Sequence, residues 1–288
     1  MPARCFGLIA NGSKPRAREL VEDLAREFEQ KGIAAKLETR TAALVGTESS
    51  GSAVDLAACC ELLVVLGGDG TILQVLHELG DARCPIFGIN LGSLGFLTSS
   101  SSADWQKAAA CVIAGDYRLT ERTVLTVELI RGGEVLTKRH ALNDAVISRG
   151  ELSRLIKLVV SIDGECLTEY NADGLIVATP TGSTAYSLSA GGPVLTPDSG
   201  VFVITPICPH VLTMRPVMVS DESQIEITPA PGERDVFVTL DGQQSEPVRA
   251  GDILRITKAP HRLALAMLPG MSFFEVLRQK LKWSGSAV

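Results

Sequence analysis

Leu62-Leu63-Val64-Val65-Leu66-Gly67-Gly68-Asp69-Gly70-Thr71-Ile72 is the stretch from which the fold is read. Its first five residues form an unbroken apolar, β-prone run, the pattern of a strand buried on both faces. Residues 72–79 carry helical spacing. The glycines between them therefore mark a turn from a buried strand into a helix N-terminus. At such a turn the unpaired N–H groups and the helix dipole favour anions such as phosphate. Glycine lets the backbone approach a ligand closely. A carboxylate, Asp69, at the tip of an anion-attracting turn suits a base or a metal-linked group. The plainer reading makes Asp69 the helix N-cap. There is no Gly-x-x-x-x-Gly-Lys-Ser/Thr and no Gly-x-Gly-x-x-Gly after a strand, so neither a P-loop nor an ordinary dinucleotide fingerprint is present.

Outward from this turn, apolar runs and helical patterns alternate. Residues 5–10 read as a strand and 16–31 as an amphipathic helix, with Leu20, Leu24 and Phe28 on one face and Gly32 as its stop. Strand 33–37, a Gly/Ser/Thr-rich mobile loop at 41–52, a short helix at 54–60 and strand 85–89 follow. Ser101 and Asp104 fit a capping box for a helix over 103–113. Alternation of this kind predicts a parallel sheet flanked by helices, with ligands beyond the carboxyl ends of its strands. From Arg122 the period becomes two, and Gly132-Gly133 and Asp163-Gly164 are two-residue hairpin signals. The expectation is an α/β N-terminal domain with a parallel sheet over 1–120, and a β-rich C-terminal domain over 121–265. A C-terminal helix in 266–288 packs back on the first domain through Phe273, Val276, Leu277 and Leu281.

The net charge of −6 argues against nucleic-acid and membrane-surface partners. Apolar runs are too short for a signal-peptide core or a membrane span. Seven cysteines without paired spacing read as reduced and cytoplasmic, with neither a redox nor a zinc role expected.

The densest chemical signal spans residues 171–193, from Asn171-Ala172-Asp173-Gly174 through Thr179-Pro180-Thr181-Gly182-Ser183-Thr184-Ala185-Tyr186-Ser187-Leu188-Ser189 to Pro193. A strand occupies its middle. Five hydroxyls lie within 181–187, enough to bind sugar hydroxyls, base edges or phosphates. A capped turn would use only one or two. Asn143-Asp144, an amide beside a carboxylate, can read a base edge and hold a ribose hydroxyl; alone, the pair reads rather as a turn or bulge. His77 and His210 read as helix-face and turn residues, without metal-pair spacing.

Gly67 to Thr71, Gly88-Ile89-Asn90-Leu91-Gly92-Ser93-Leu94-Gly95-Phe96-Leu97, Asn143-Asp144, the block 173–193 and Thr205-Pro206-Ile207-Cys208-Pro209-His210 resemble, in order and spacing, bacterial NAD kinases of the ATP/polyphosphate-NAD kinase family. The Gly-Gly-Asp-Gly turn is shared with lipid kinases and phosphofructokinases, whereas block 173–193 is far more specific. The resemblance implies phosphoryl transfer from ATP or polyphosphate to the 2′-hydroxyl of the adenosine ribose of NAD, giving NADP, with a divalent cation such as Mg2+ on the donor phosphates. It assigns no protein ligand to the metal. It implies Asp69 as proton acceptor and Asp69 with Gly70 beside the reacting ribose. It places Asn143 and Asp144 on the adenosine, Arg154 on the dinucleotide, Asp173 near the nicotinamide end, Thr184, Ala185, Tyr186, Ser187, Leu188 and Ser189 around base and ribose, and Gln243 as a late contact. Asn171 stands where relatives often carry a basic residue. The resemblance also implies a homodimer or homotetramer, with 121–265 as the domain that binds NAD and oligomerises. Two alternatives share parts of the pattern: a diacylglycerol-type lipid kinase and a non-catalytic NAD sensor.

Overall fold

The structure, a computed structural model, describes residues 4–92, 95–150 and 155–283. Arg154, and Ser93-Leu94 of the glycine-rich stretch, lie outside them. In chain order the elements are β1 Cys5–Ala10, α1 Ala17–Gln30, β2 Ala34–Leu37, α2 Thr39–Val45, α3 Ala53–Cys59, β3 Leu62–Gly67, α4 Asp69–Leu79, β4 Ile86–Asn90, β5 Ser100–Ser101 and α5 Trp105–Ala114. There follow β6 Arg118–Arg131, β7 Glu134–Ala141, β8 Asp144–Arg149, β9 Ile156–Ile162, β10 Glu165–Ala172, β11 Gly174–Ala178 and a 3-10 turn Gly182–Thr184. The last are α6 Tyr186–Ser189, β12 Val201–Ile207, β13 Val217–Ser220, β14 Ile225–Pro229, β15 Val236–Leu240, β16 Gln244–Val248, β17 Ile253–Met267 and α7 Phe273–Leu281. The chain forms two compact units, one of residues up to Glu121 and from Leu263 onward, the other Arg122–Arg262.

In the first unit β2, β1, β3 and β4 pair in that order, all parallel, with Leu8 opposite Val64 and Val64 opposite Phe87. The end of β17 adds Leu265 beside Ile86, also parallel. β3 and β4 are buried along their whole length, as an unbroken apolar run requires in a sheet covered on both faces. Helix α1 buries Leu20, Val21, Leu24 and Phe28 against Phe6, Leu8 and Val64. Gly32, at φ 73°, ends it as expected. The C-terminal helix buries Val276 and Leu277 in this unit, and the Phe273 ring lies 6.0 Å from that of Phe96.

In the second unit one antiparallel sheet runs β13-β12-β11-β8-β15-β16. Strands β10, β9, β14 and the start of β17 form another antiparallel array. Ile147, Leu175, Val177, Phe202 and Ile204 of the first meet Leu158, Val160, Ile225, Ile227, Leu254 and Ile256 of the second in one core. These residues alternate along their strands; in β14 only that face is buried, whereas β11 and β12 also bury Ile176, Ala178 and Val203 on the opposite face. Gly132-Gly133 (φ 58° and 85°) and Asp163-Gly164 (φ 53° and 85°) make the expected tight hairpins.

Three local readings are corrected. Asp69 is not the N-cap: Gly68 is, and Asp69 opens the helix. Residues 41–52 are not simply a mobile loop. The buried Glu38 carboxylate caps α2 through the N–H groups of Arg40 and Thr41, and Ser52 with Asp55 forms a capping box for α3. Ser101 and Asp104 do not form a capping box. Their side chains bond each other at 2.7 Å, and α5 starts at Trp105.

Candidate active site

The first unit contributes a carboxylate carried at a helix start and held by the segment after β4. Strand β3 ends at Gly67, and α4 starts immediately beyond Gly68. Gly67 is required because a side chain there would collide with Thr71, whose hydroxyl accepts from the Gly68 N–H at 3.4 Å. The half-buried Asp69 carboxylate turns to the segment after β4. Its Oδ2 accepts from the Phe96 N–H at 2.8 Å and its Oδ1 from the Leu97 N–H at 3.1 Å. A Cβ at Gly95 would overlap this carboxylate. The two glycine-rich motifs thus form one structure, with Gly95 leaving room for Asp69.

The segment that holds Asp69 is itself braced. The Thr98 hydroxyl accepts from the Gly95 N–H at 3.0 Å and from Asn90 Nδ2 at 3.3 Å, while Asn90 Oδ1 accepts from the Gly92 N–H at 2.7 Å. Asn90 and Thr98 are buried. Among the described residues each Asp69 oxygen takes one donor, which leaves lone-pair directions for a proton or a hard cation. Gly70, next to it, is exposed.

The second unit contributes a cleft of about 400 Å³ lined by Asn143, Asp144, Ala185, Tyr186, Thr239 and Asp241. Asp241 is its organiser. It sits at φ 51° in the turn between β15 and β16, and its carboxylate accepts from the N–H groups of Leu142 (2.8 Å), Asn143 (2.7 Å) and Asp144 (3.1 Å). The Asp144 carbonyl accepts from the Asp241 N–H at 3.0 Å. Asp144 is 4% exposed. Burial, reinforced by the charge of Asp241, pushes its carboxyl up to about 7. At neutral pH it can therefore meet a ligand as donor or acceptor.

The hydroxyl-rich block divides by role. Thr179 locks onto the same turn, its hydroxyl donating to the Leu142 carbonyl and its N–H to the Asn143 carbonyl. Gly182 packs where any Cβ would fall on the Asn143 carbonyl. Ser183 is fully buried, donating to the Pro180 carbonyl and accepting from the Leu195 N–H. Ser187 is fully buried against the Thr205 hydroxyl at 3.0 Å. Thr184 donates to the Thr181 carbonyl. The Thr181 hydroxyl is buried with no hydrogen-bond partner among the described residues. Tyr186 is 47% exposed at the cleft, Ala185 and Leu188 are half-buried, and Ser189 is exposed.

Asp173, between β10 and β11, pairs with Arg149 at 3.1 Å. The carbonyl of its neighbour Asn171 accepts from the His210 N–H. A cation thus reaches Asp173 from β8, although position 171 itself carries none. Gln243 is exposed in the turn that holds Asp241. The sequence reading singled out Gln243 and passed over Asp241, whose signal was the Asp-Gly pair between two alternating strands. It also passed over Asn90 and Thr98 as braces.

A fixed carboxylate at a strand–helix turn in the first unit suits phosphoryl transfer, and a cleft lined by Asn143, Asp144 and Asp241 in the second suits a nucleotide, the two requirements of a nucleotide-dependent phosphotransferase. Comparison with known proteins is specific. The ATP-NAD kinase N-terminal domain matches residues 6–117, and the ATP-NAD kinase C-terminal domain matches residues 142–268. The chain is 43% identical over 278 residues to the NAD kinase of Geotalea daltonii, covering 96% of this chain and 98% of that one. It is 43% identical over 282 residues to that of Moorella thermoacetica, covering 98% and 90%. The fold matches yeast NADH kinase complexed with NADH at a TM-score of 0.90 and 27% identity, covering 100% of this chain and 90% of that one. An NAD kinase from Archaeoglobus fulgidus in complex with ATP matches at 0.75 and 26%, covering 98% and 100%. The chain belongs to the ATP-NAD kinase family.

Proposed function

We propose that this chain transfers the terminal phosphoryl group of ATP, or of polyphosphate, to the 2′-hydroxyl of the adenosine ribose of NAD, making NADP. The observation that carries the reading is the Asp69 carboxylate, held through both oxygens by the N–H groups of Phe96 and Leu97 at the start of α4. A ribose hydroxyl is a weak nucleophile. A fixed carboxylate accepts its proton as the bond to phosphorus forms, and fixing it beforehand removes an orientation cost from the barrier.

Asn143, Asp144 and the exposed edge of 184–189 would hold the adenosine. Asp173, beside Arg149, would face the nicotinamide end. Arg154 and Gln243 complete the expected set. The hard carboxylate oxygens of Asp69 suit a magnesium ion. Such an ion, bound mainly by the donor phosphates, would offset their repulsion from Asp69. A cytoplasmic homodimer or homotetramer is part of the same reading.

The test is NADP formation from NAD, ATP and magnesium. We expect NADP, no phosphorylation of diacylglycerol, and loss of turnover on chelation that added magnesium restores. Asp69→Asn should bind NAD with near-normal affinity while turnover falls about 10²- to 10⁴-fold, the range for a lost general base. Full turnover in that variant would remove Asp69 from the role. NAD binding without turnover in the unaltered protein would favour a sensor.

A further inference from the structure

Four of the seven cysteines converge at the amino-terminal ends of β1 and β3. Cys5 opens β1, Cys59 ends α3, Cys60 follows it, and Cys84 precedes β4. Cys5 Sγ lies 3.2 Å from Cys60 Sγ, and Cys60 Sγ lies 3.9 Å from Cys59 Sγ. The Cys84 thiol donates to the Cys60 carbonyl at 3.4 Å. The backbone holds the pair in register, since the Glu61 N–H donates to the Cys5 carbonyl at 3.0 Å.

The sulfurs differ in surroundings. Cys59 is exposed, and the Lys36 ammonium on β2 donates to its sulfur at 3.2 Å. Cys59 is thus an accessible sulfur with an ammonium group beside it, and the thiolate is the form that attacks disulfides. Cys5 is buried and Cys60 half-buried, and burial pushes the Cys60 thiol well above the usual range. Burial likewise pushes Cys84 up to about 12. The cluster therefore has one entry, Cys59, and two inner thiols almost in contact.

We propose that Cys59, Cys60 and Cys5 form a thiol–disulfide exchange site that takes a low-molecular-weight disulfide at Cys59 and ends as a Cys5–Cys60 disulfide. The Cys59 thiolate attacks one sulfur of the small disulfide, forming a mixed disulfide and releasing one small thiolate. Cys60, losing its proton to solvent, attacks Cys59 Sγ and releases the second small thiolate, which leaves a Cys59–Cys60 bond. Cys5, also losing its proton, attacks Cys60 Sγ, and Cys59 leaves as a thiolate beside Lys36. In sum the small disulfide is reduced to two thiols while Cys5 and Cys60 are oxidised. The inner steps are intramolecular, so proximity compensates for the low thiolate fraction of the buried sulfurs.

Oxidised glutathione is the probe, applied to the full-length protein, with thiol titration and peptide mass mapping. We expect a Cys5–Cys60 crosslink to accumulate, with glutathione transient on Cys59. Cys60→Ser should trap glutathione on Cys59. Cys59→Ser, altering an exposed side chain, should slow the crosslink about tenfold or more. Lys36→Met should slow attachment at Cys59 while leaving the exposed Cys166 and Cys208 reacting at unchanged rates. The proposal fails if Cys5 and Cys60 remain alkylatable after full oxidation, if glutathione appears on Cys166 and Cys208 but not Cys59, or if Cys59→Ser crosslinks at the unaltered rate. None of these readouts depends on kinase activity.

Discussion

Asp69 and Gly95 constrain each other across 26 positions of sequence, because the carboxylate occupies the space a Cβ at Gly95 would need. Gly95→Ala should displace the carboxylate, and a displacement of about 1 Å can cost on the order of 10²-fold in rate. We expect kcat to fall at least tenfold, with unchanged far-UV circular dichroism and near-normal NAD affinity; the kcat–KM split in steady-state kinetics is the check. Asp144 gives a second residue-scale expectation. Folding lifts its carboxyl from 3.8 to about 7, chiefly by burial and then by the Asp241 charge. Between those two values the folded chain holds a proton that the unfolded chain has lost. Asp144 therefore stabilises the fold fully below pH 4, and this contribution is lost as pH rises through 7, at up to about 1.4 kcal/mol per pH unit. Urea unfolding across that window should show a stability difference between the unaltered chain and Asp144→Asn that changes in this direction. A constant difference would contradict the burial of an ionising group there. Neither constraint was visible from residue types alone: Asn143-Asp144 by itself reads rather as a turn or bulge, and Asp241 is only half of a turn dipeptide.

Elements were legible where periodicity was strong. The continuous run at 62–66 can only be covered on both faces, and β3 is buried throughout. Helix α1 follows the spacing of Leu20, Leu24 and Phe28, all of which are buried. The segment after β2 was misread because its Ser, Thr and Gly content resembles a loop. Helix α2 exists there because Glu38, although buried, satisfies two of its free N–H groups. The C-terminal helix is too short to persist alone in water, so its stability comes from burying Val276 and Leu277. Leu277→Ala should cost about 2–3 kcal/mol, the lower part of the range for truncating a buried leucine. The urea midpoint should fall with its slope unchanged. A loss under about 0.5 kcal/mol, the level of an ordinary surface change, would mean that the helix is not docked.

At the scale of the molecule, each compact unit has its own apolar core, one centred on the parallel β1, β3 and β4, the other between two antiparallel arrays. A ligand that binds only the folded chain stabilises it, so NAD at about a hundredfold its Kd should add about 2.7 kcal/mol. Differential scanning calorimetry should then show Tm rising with NAD concentration. A Tm unmoved by saturating NAD would mean that the folded chain does not bind it. By itself the sequence determined the class of each half, the strand–turn–helix at 62–79 and the tight hairpins, because these follow from periodicity and backbone sterics within a few residues. Only the tertiary structure decided that Phe96 and Leu97 hold Asp69, that Asp241 anchors Asn143 and Asp144, and that Ser183 and Ser187 face inward. Those hydrogen bonds join segments distant in sequence, and which donor meets which carboxylate is set by chain packing rather than by local pattern.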